Sequence, residues 1–362
     1  MKEPRTTSWI RKIPPYVPGT SKDTVAKRYG IARPVKLASN ENPLGPSPRA
    51  LEAMAEHASR MHLYPDPDAA DLKKAAADFF SCTVTQVTAG NGSDELIDLL
   101  CRAYLESGDE VVIPSCTFSY YRIASLVCGA QIRFTSMKNH FIDVDDILAA
   151  VTPKTKIAFL ANPNNPTGTC LSWHDIERLA SGIPGDTLLV VDEAYAAFVR
   201  QPDFKSARNL IRERPNVAVL STLSKSHGLA GLRVGFCLAG ESVTGALARI
   251  KPPFNMSTLA LKGGEAALND TGFLRKTLEN TWEGLDFLSA QMENLGLSVV
   301  PSQTNFVLVR IGEDAGRVYQ RLMEKGIITR SMDSFGLQGY IRVSVGLPGE
   351  NRAFVDALRQ AL

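Results

Sequence analysis

The chain has 362 residues, of which 44% are hydrophobic and 22% are charged, and its formal net charge is +2. These proportions are ordinary for a globular protein and exclude disordered and collagen-like chains. The small net charge, without a stripe of Lys or Arg, argues against binding of nucleic acid. The length is sufficient for about two domains with a large buried core.

The cysteines and the N-terminal segment predict a cytoplasmic protein. The six cysteines form no C-x-x-C pair and no zinc-ligand spacing with His, so we expect buried free thiols and no metal site. Residues 1–19 contain no apolar segment typical of a signal peptide. No uncharged apolar run approaches the roughly 18 residues that cross a bilayer, so we expect no membrane association.

The first predicted element is an N-terminal arm, residues 1–45. Proline and glycine are frequent in its first thirty residues, which predicts irregular structure rather than a helix. Ser47 and Pro48 then form the pattern of a helix N-cap followed by proline at the first helical position. A large domain is therefore predicted to begin at residue 46.

Short apolar runs alternate with helical patterns between about residues 85 and 240. Several of these runs lack a polar face, as strands do when helices cover both sides of a parallel sheet. The predicted strands are residues 86–88, 110–113, 131–135, 156–160, 187–191, 217–220 and 232–238.

The last part of the chain, residues 256–362, has a different pattern. Helical stretches come first, predicted strands follow near residues 299–309 and 340–345, and a helix closes the chain at Leu362. The predicted fold class is therefore α/β, with a mostly parallel sheet between helices in residues 46–255 and a smaller α+β C-terminal domain.

Polar and glycine-rich segments directly follow four of the predicted strands. In open α/β sheets, ligands bind at the carboxyl ends of the strands, so these segments are expected to converge on one site. They are residues 90–95, 162–168, 192–195 and 221–225.

The first segment has the features of a phosphate site. Gly92 and Ser93 precede a helical pattern with Asp94 in its first turn, and free backbone N–H groups at such a position bind anions. A capped helix with a favourable acidic first turn would have the same residues. Three downstream side chains add donors suited to a phosphate dianion, namely Thr222, Ser224 and Arg233.

Asp192 ends an apolar strand, where a carboxylate is unfavourable unless it is paired. A pyridinium nitrogen would be a suitable partner. An N-cap role or a salt bridge with Arg233 is equally consistent with the sequence. Tyr195 and Asn165 could hydrogen-bond to one phenolic oxygen, or they could be ordinary turn and core groups.

Lys225 also ends a buried strand. Burial and nearby cations lower the pKa of such an amine, and the neutral amine can form a Schiff base with an aldehyde. An isolated lysine is usually on the surface. Ser224, Arg233 and the glycines of residues 228–231 surround Lys225 in the sequence and favour the reactive role.

The order and spacing of these motifs resemble fold-type I pyridoxal-phosphate (PLP) aminotransferases, and within them the histidinol-phosphate aminotransferase family. The resemblance covers the chain from about Tyr16 to its end. The matching segments are ASNENPLGPSP (38–48), YPD (64–66), GNGSDE (90–95), NPNNPTG (162–168), VVDEAY (190–195), TLSKSHGLAGLRVG (222–235), TNF (304–306) and YIRVSVG (340–346).

The resemblance implies PLP as the cofactor and assigns roles to individual residues. Lys225 matches the lysine that forms the Schiff base and moves the proton, and Asp192 matches the partner of the pyridine nitrogen. Phe118 is similar to the aromatic residue that stacks on the ring, where many relatives have Tyr. The other implied cofactor-binding residues are Gly92, Ser93, Asp94, Asn165, Tyr195, Thr222, Ser224, Arg233 and Tyr64, the last reaching the phosphate from the other subunit of a homodimer.

The resemblance also implies the substrates. Arg342 matches the arginine that binds the substrate carboxylate, and a pairing within the small domain is its alternative. Arg330 and Tyr16 match positions that bind the phosphate of histidinol phosphate, although a surface position would also suit Arg330. Asn165 is included in this substrate-binding set. We therefore expect ping-pong transfer of an amino group between L-histidinol phosphate and 2-oxoglutarate.

Three other functions need comparison with this one. Aminotransferases for phenylalanine and tyrosine share nearly the same motifs, and Leu347 stands where the family usually has Thr after VSVG. A nicotinamide-dependent dehydrogenase would need a G-x-G-x-x-G turn, a spacing that residues 228–235 do not have. A non-catalytic PLP-binding regulator would usually carry a fused DNA-binding segment, for which we expect no room at either end.

Overall fold

A seven-stranded sheet with helices on both faces forms the larger part of the fold, in a computed structural model that describes residues 4–13 and 19–362. The helices are α1 (Lys22–Tyr29), α2 (Pro48–His57), α3 (Ala70–Phe80), α4 (Gly92–Tyr104), α5 (Tyr120–Val127), α6 (Val144–Ala150), α7 (Trp173–Gly182), α8 (Glu241–Ile250), α9 (Thr258–Leu268), α10 (Thr271–Asn294), α11 (Ala315–Glu324) and α12 (Pro348–Ala361). The strands are β1 (Val35–Lys36), β2 (Val87–Asn91), β3 (Glu110–Pro114), β4 (Gln131–Thr135), β5 (Met137–Lys138), β6 (Phe141–Ile142), β7 (Thr155–Ala161), β8 (Leu188–Asp192), β9 (Val217–Thr222), β10 (Val234–Ala239), β11 (Ser298–Val300), β12 (Phe306–Arg310), β13 (Ile327–Ile328), β14 (Arg330–Ser331) and β15 (Tyr340–Ser344).

The strand order in the large sheet is β2-β10-β9-β8-β7-β3-β4. The pairs from β9 to β4 are parallel, whereas β10 is antiparallel to both β2 and β9. Almost all side chains of β7, β8 and β9 are buried, because helices cover both faces of the sheet. The mostly parallel α/β sheet that the sequence predicts is confirmed.

All the predicted strands of the large sheet are present, with small differences at their ends. The first begins at Val87 rather than at residue 86, because residues Val84–Gln86 form a 3-10 turn in which Gln86 accepts a hydrogen bond from the backbone N–H of Thr83. The last begins at Val234 rather than at residue 232, because Arg233 has a φ of 59°, outside the β region.

The N-terminal segment contains a helix, α1, that the sequence interpretation missed. Ser21 caps it by accepting a hydrogen bond from the backbone N–H of Thr24, and Gly30 ends it with a φ of 69°. The expectation of irregular structure throughout the first thirty residues is therefore wrong. The frequent prolines end at residue 18, and no helix breaker lies between Ser21 and Gly30.

Two hydrophobic clusters fill the two sides of the large sheet. Helices α4, α5 and α8 pack on one face, and α3, α6, α7 and α9 pack on the other. A separate cluster lies under the antiparallel sheet β11-β12-β15-β14, against α10, α11 and α12.

The predicted domain boundary at residue 256 stays a prediction. The packing of α9 against the large sheet favours a boundary near the start of α10.

The cysteines of the chain are free thiols, and Cys82 and Cys128 are only partly buried. Over residues 4–13 and 19–362, no helix combines the length and the apolar character that a membrane span requires.

Candidate active site

A pocket opens where β7, β8 and β9 end, and it brings together most of the residues predicted to bind the cofactor. Those that line it are Ser93, Asp94, Phe118, Asn165, Asp192, Tyr195, Thr222, Ser224, Lys225 and Arg233. The register of the strands explains the convergence. Asp192 pairs with Ala161 of β7 on one side and with Leu220 of β9 on the other, so the segments that follow the three strands emerge at one edge.

The phosphate end of the pocket is built around the N-terminus of α4. Gly92, the first residue of this helix, has a φ of 75°, and a Cβ there would lie 2.5 Å from Nη2 of Arg233. A Cβ at Gly235 of β10 would lie 2.5 Å from the carbonyl carbon of Gly92. Both positions therefore require glycine, and their close approach sets the first turn of α4 against Arg233.

Donors from two other segments face this helix end. The Thr222 hydroxyl donates to Oγ of Ser224 at 2.9 Å, and Nη1 of Arg233 lies 3.4 Å from the same oxygen. Nη2 of Arg233 donates to Asp94 at 2.9 Å. The carboxylate partner of Arg233 is thus Asp94, and the salt bridge with Asp192 that the sequence left open is not formed.

Asp192 is buried at the centre of the pocket. Its Oδ2 accepts a hydrogen bond of 2.6 Å from the Tyr121 hydroxyl, and its Oδ1 accepts one of 3.0 Å from the backbone N–H of Ala194. Burial raises the pKa of the Asp192 carboxyl, and the hydrogen bond from Tyr121 opposes that shift. A cation in contact with Asp192 would favour its ionised form.

Two residues of the site were missed by sequence reasoning. Tyr121 is fully buried and stacks on Phe159 at 4.7 Å between ring centroids, which directs its hydroxyl to Asp192. The sequence signal that could have identified Tyr121 as a site residue is its position three residues after Phe118. Asn40 donates from Nδ2 to the Tyr195 hydroxyl at 2.8 Å. It lies in the segment ASNENPLGPSP, which was recognised without a role for this residue.

Lys225 follows β9 and is half-buried. Its Nζ lies 3.4 Å from the carbonyl oxygen of Ser39 and 5.9 Å from the centroid of the Tyr195 ring. Gly228, with a φ of 69°, fixes this turn, because a Cβ there would lie 1.9 Å from the carbonyl oxygen of Gly45. The Lys225 segment therefore packs directly on the segment of residues 38–48.

The loop that carries Asn165 is fastened by its neighbour. Asn164 accepts a hydrogen bond from the Thr117 hydroxyl at 2.7 Å and donates from Nδ2 to the carbonyl oxygen of Cys116 at 2.9 Å. These bonds hold the loop against the segment that carries Phe118. Asn165 and Phe118 therefore keep fixed positions on the wall of the pocket.

Two of the predicted substrate-binding residues lie on the small sheet, beside the pocket. Arg342 donates from Nη1 to Oδ1 of Asn165 and from Nη2 to the carbonyl oxygen of Ala38 at 3.0 Å. Arg330 of β14 pairs directly with Arg342 of β15, so both side chains leave the same face of the sheet. Two arginines paired on one face of the sheet favour a strongly anionic partner.

The two remaining predicted residues are not part of the pocket wall. Tyr64 is 84% exposed and stacks on Phe254 at 4.7 Å between ring centroids. Tyr16 lies outside the described residues.

Comparison with known proteins identifies the family. Residues 32–358 match the family described as aminotransferase class I and II. The chain belongs to this family.

Similar proteins agree over the full length of the chain. It is 43% identical to a histidinol-phosphate aminotransferase of Maricaulis maris, over 98% of both proteins, and 44% identical to one of Paramagnetospirillum magneticum, over 99% of both. The crystal structure of the histidinol-phosphate aminotransferase of Sinorhizobium meliloti, in complex with pyridoxal-5'-phosphate, superposes with a TM-score of 0.91 at 28% identity and covers 99% of this chain and 98% of that one. Membership of the family confirms the prediction of a PLP-dependent aminotransferase.

Glu193 follows Asp192 and is also buried in this aminotransferase. It accepts hydrogen bonds from the Ser206 hydroxyl and from the backbone N–H of Ala207 at 2.7 Å. Burial raises the pKa of Glu193 from 4.5 to about 7. The folded protein therefore holds this proton between pH 4.5 and 7, where the unfolded chain releases it.

The stability that Glu193 contributes is present at low pH and is lost as the pH rises through about 7. We expect the free energy of unfolding of the wild type to fall between pH 4.5 and pH 7, relative to that of a Glu193→Gln variant. The expected fall is up to about 3 kcal/mol, because each pKa unit corresponds to about 1.36 kcal/mol. Urea unfolding of the cofactor-free proteins at several pH values measures the difference. The exposed Glu213→Gln is the matched control. Parallel pH profiles for wild type and Glu193→Gln would contradict the expectation.

Proposed function

We propose that this chain is a histidinol-phosphate aminotransferase, which transfers an amino group between L-histidinol phosphate and 2-oxoglutarate with PLP as cofactor. The choice of substrate rests mainly on one observation: Arg330 and Arg342 pair beside the pocket that contains Lys225. The names of the similar proteins support the same choice.

The residues of the pocket fit PLP at each of its polar groups. The first turn of α4 and the donors Thr222, Ser224 and Arg233 suit the phosphate. Asp192 suits the protonated ring nitrogen, because it is buried and has no basic hydrogen-bond partner among the described residues. The wall residues that suit the ring face and its phenolic oxygen are Phe118, Asn165 and Tyr195.

Different residues of the chain would perform different parts of the reaction. Bound PLP supplies an electron sink for the electron pair released at the substrate α-carbon. Lys225 would hold the cofactor, and its free amine would take the α-proton of the substrate as general base. Asp192 would hold a proton on the ring nitrogen. Asn40 orients the Tyr195 hydroxyl.

The arginine pair serves both substrates. Arg342, held by Asn165 and Ala38, is positioned to bind the α-carboxylate of glutamate and 2-oxoglutarate. Arg330, opposite it, adds the second guanidinium that the phosphate of histidinol phosphate requires. The predicted contribution of Tyr16 to the same phosphate stays a prediction, as does a cytoplasmic location.

The donor is tested by the visible spectrum of the purified holoenzyme after addition of L-histidinol phosphate or L-phenylalanine without an acceptor. We expect the cofactor band to change at a far lower concentration of histidinol phosphate. Arg330→Gln removes a charged hydrogen bond worth about 1.5–3 kcal/mol, so it raises the required concentration of histidinol phosphate roughly tenfold to a hundredfold and leaves the response to phenylalanine unchanged. Arg310→Gln, an exposed arginine on β12, is the matched control.

Each other outcome selects a different function. A response to phenylalanine at the lower concentration identifies an aromatic aminotransferase and contradicts the proposal. A normal cofactor band that responds to neither donor is expected of an aminotransferase with another amino donor or of a non-catalytic PLP-binding protein, and it also contradicts the proposal.

We also propose a homodimer with shared sites. Tyr64 and Phe254 stack on each other on the surface, and two exposed apolar side chains lie near Tyr64 in the sequence. These are Met61 at 48% and Leu63 at 58% exposure. A surface of this kind is typical of a subunit interface. It would bring Tyr64 of one subunit to the other subunit's cofactor phosphate.

Sedimentation velocity is expected to give twice the mass of the chain for the wild type and for Tyr64→Phe. Loss of the Tyr64 hydroxyl removes one hydrogen bond to the phosphate, so PLP should bind to Tyr64→Phe about tenfold more weakly. Tyr319→Phe, the same change on α11 and away from the pocket, is the control for the cofactor titration. A monomer, or unchanged PLP affinity in Tyr64→Phe, would contradict the shared site.

A further inference from the structure

Tyr195 is connected to the small sheet by two side chains that lie behind the pocket wall. Its hydroxyl accepts a hydrogen bond of 2.8 Å from Nδ2 of Asn40. Oδ1 of the same amide accepts one of 3.0 Å from the Ser344 hydroxyl of β15. Asn40 is 1% exposed and Ser344 is 3% exposed, and neither lines the pocket. Any effect of these two side chains on a bound molecule is therefore indirect.

The hydroxyl of Ser344 decides which end of the Asn40 amide faces Tyr195. The two ends differ in chemistry, since the nitrogen donates and the oxygen accepts, and hydrogen-bond partners determine the orientation. Among the residues that the structure describes, Oδ1 of Asn40 is the acceptor available to the proton of this buried hydroxyl. With the amide turned over, that proton would lose its acceptor, which is unfavourable for a buried group. Nδ2 is therefore directed to Tyr195.

The backbone of Asn40 holds the amide in place for this contact. Its N–H donates to the Ser344 oxygen at 2.8 Å, and its carbonyl oxygen accepts a hydrogen bond of 3.1 Å from Nδ2 of Asn305. Its φ of 53° lies in the left-handed region, which asparagine adopts more readily than most residues. Hydrogen bonds at both backbone groups and at both ends of the amide thus fix the position of Asn40.

This arrangement leaves the proton of the Tyr195 hydroxyl free to be donated. The hydroxyl oxygen accepts from Asn40, so the amide does not take the proton. Tyr195 lines the pocket, where a bound group can accept it. A hydroxyl that accepts one hydrogen bond is also polarised into a better donor for a second.

We propose that Ser344 and Asn40 are positioning residues that make Tyr195 a hydrogen-bond donor to the phenolic oxygen of PLP. The inference rests on the proposed function, in which Tyr195 faces that oxygen. A donor there stabilises the negative charge on the oxygen, so the proton that the oxygen shares with the Lys225 nitrogen is held less tightly. The relay Ser344–Asn40–Tyr195 thereby lowers the pH at which the holoenzyme loses this proton.

The pH midpoint of the visible cofactor band of the purified holoenzyme measures how tightly that proton is held. Asn40→Gly removes the amide and suits the left-handed backbone. A neutral hydrogen bond changes an equilibrium constant about threefold to tenfold, so we expect the midpoint to rise by about 0.5–1 pH unit. Tyr195→Phe, which removes the donor itself, should raise it by at least as much.

Ser344→Ala tests the relay at its far end. It keeps Asn40 but removes the hydroxyl that orients the amide, so the amide can turn over and accept the Tyr195 proton. We expect a rise in the midpoint similar to that in Asn40→Gly, although Ser344 does not line the pocket. Two matched controls should leave the midpoint unchanged. They are Asn139→Gly, at another asparagine with a positive φ of 50°, and Ser298→Ala, at an exposed position of β11.

A double-mutant cycle separates this role from a merely structural one. In Tyr195→Phe there is no hydroxyl to orient, so the further change Asn40→Gly or Ser344→Ala should move the midpoint by less than about 0.3 pH unit. A general loosening of the pocket would instead shift the midpoint equally with and without the Tyr195 hydroxyl.

Three results would overturn the proposal. The first is an unchanged midpoint in Asn40→Gly and Ser344→Ala. The second is a lower midpoint in Asn40→Gly, which would show that the amide oxygen, and not Nδ2, faces Tyr195. The third is an equal shift in the wild-type and Tyr195→Phe backgrounds. Each of these leaves a titrating cofactor band and the aminotransferase function intact, whereas absence of the band from the wild type contradicts the proposed function and the relay with it.

Discussion

Burial of the Asp192 carboxyl at the end of β8 is the constraint on which the rest of the site depends. The strand lies between β7 and β9 in the middle of the sheet, so water does not compensate the charge. Tyr121 and the backbone of Ala194 provide hydrogen bonds but no positive charge. A site of this kind selects a cationic ring as its ligand, and the neighbouring segments supply the contacts that hold such a ring in place.

The pocket is also linked mechanically to the small sheet. Asn40 donates to Tyr195, and its own backbone N–H donates to the Ser344 hydroxyl of β15 at 2.8 Å. Arg342, on the same strand, contacts Asn165. The residues proposed to bind substrate and those proposed to face the cofactor therefore share one hydrogen-bonded network, and a movement of the small sheet would act on both sets together.

Much of the site could be predicted because sequence order and strand ends determine it. Asn165 and Lys225 follow buried strands and Asp192 ends one, and parallel strands place such positions at one edge. The bond from Tyr121 to Asp192 and that from Asn40 to Tyr195 join residues 71 and 155 positions apart, so no local pattern reveals them. Arg330 lies opposite Arg342 because of the register of β14, a strand of only two residues that the sequence pattern does not reveal. Helix α1 was hidden by the prolines that precede it.

The central claim, that PLP is bonded to Lys225, is tested most directly by borohydride reduction of the holoenzyme followed by peptide mass spectrometry. Reduction fixes the cofactor to the lysine that carries it. We predict the added mass of the reduced cofactor on the peptide that contains Lys225, and no labelled peptide from a Lys225→Ala variant treated in the same way. The same mass on a different lysine of the wild type, or on none, would contradict the claim.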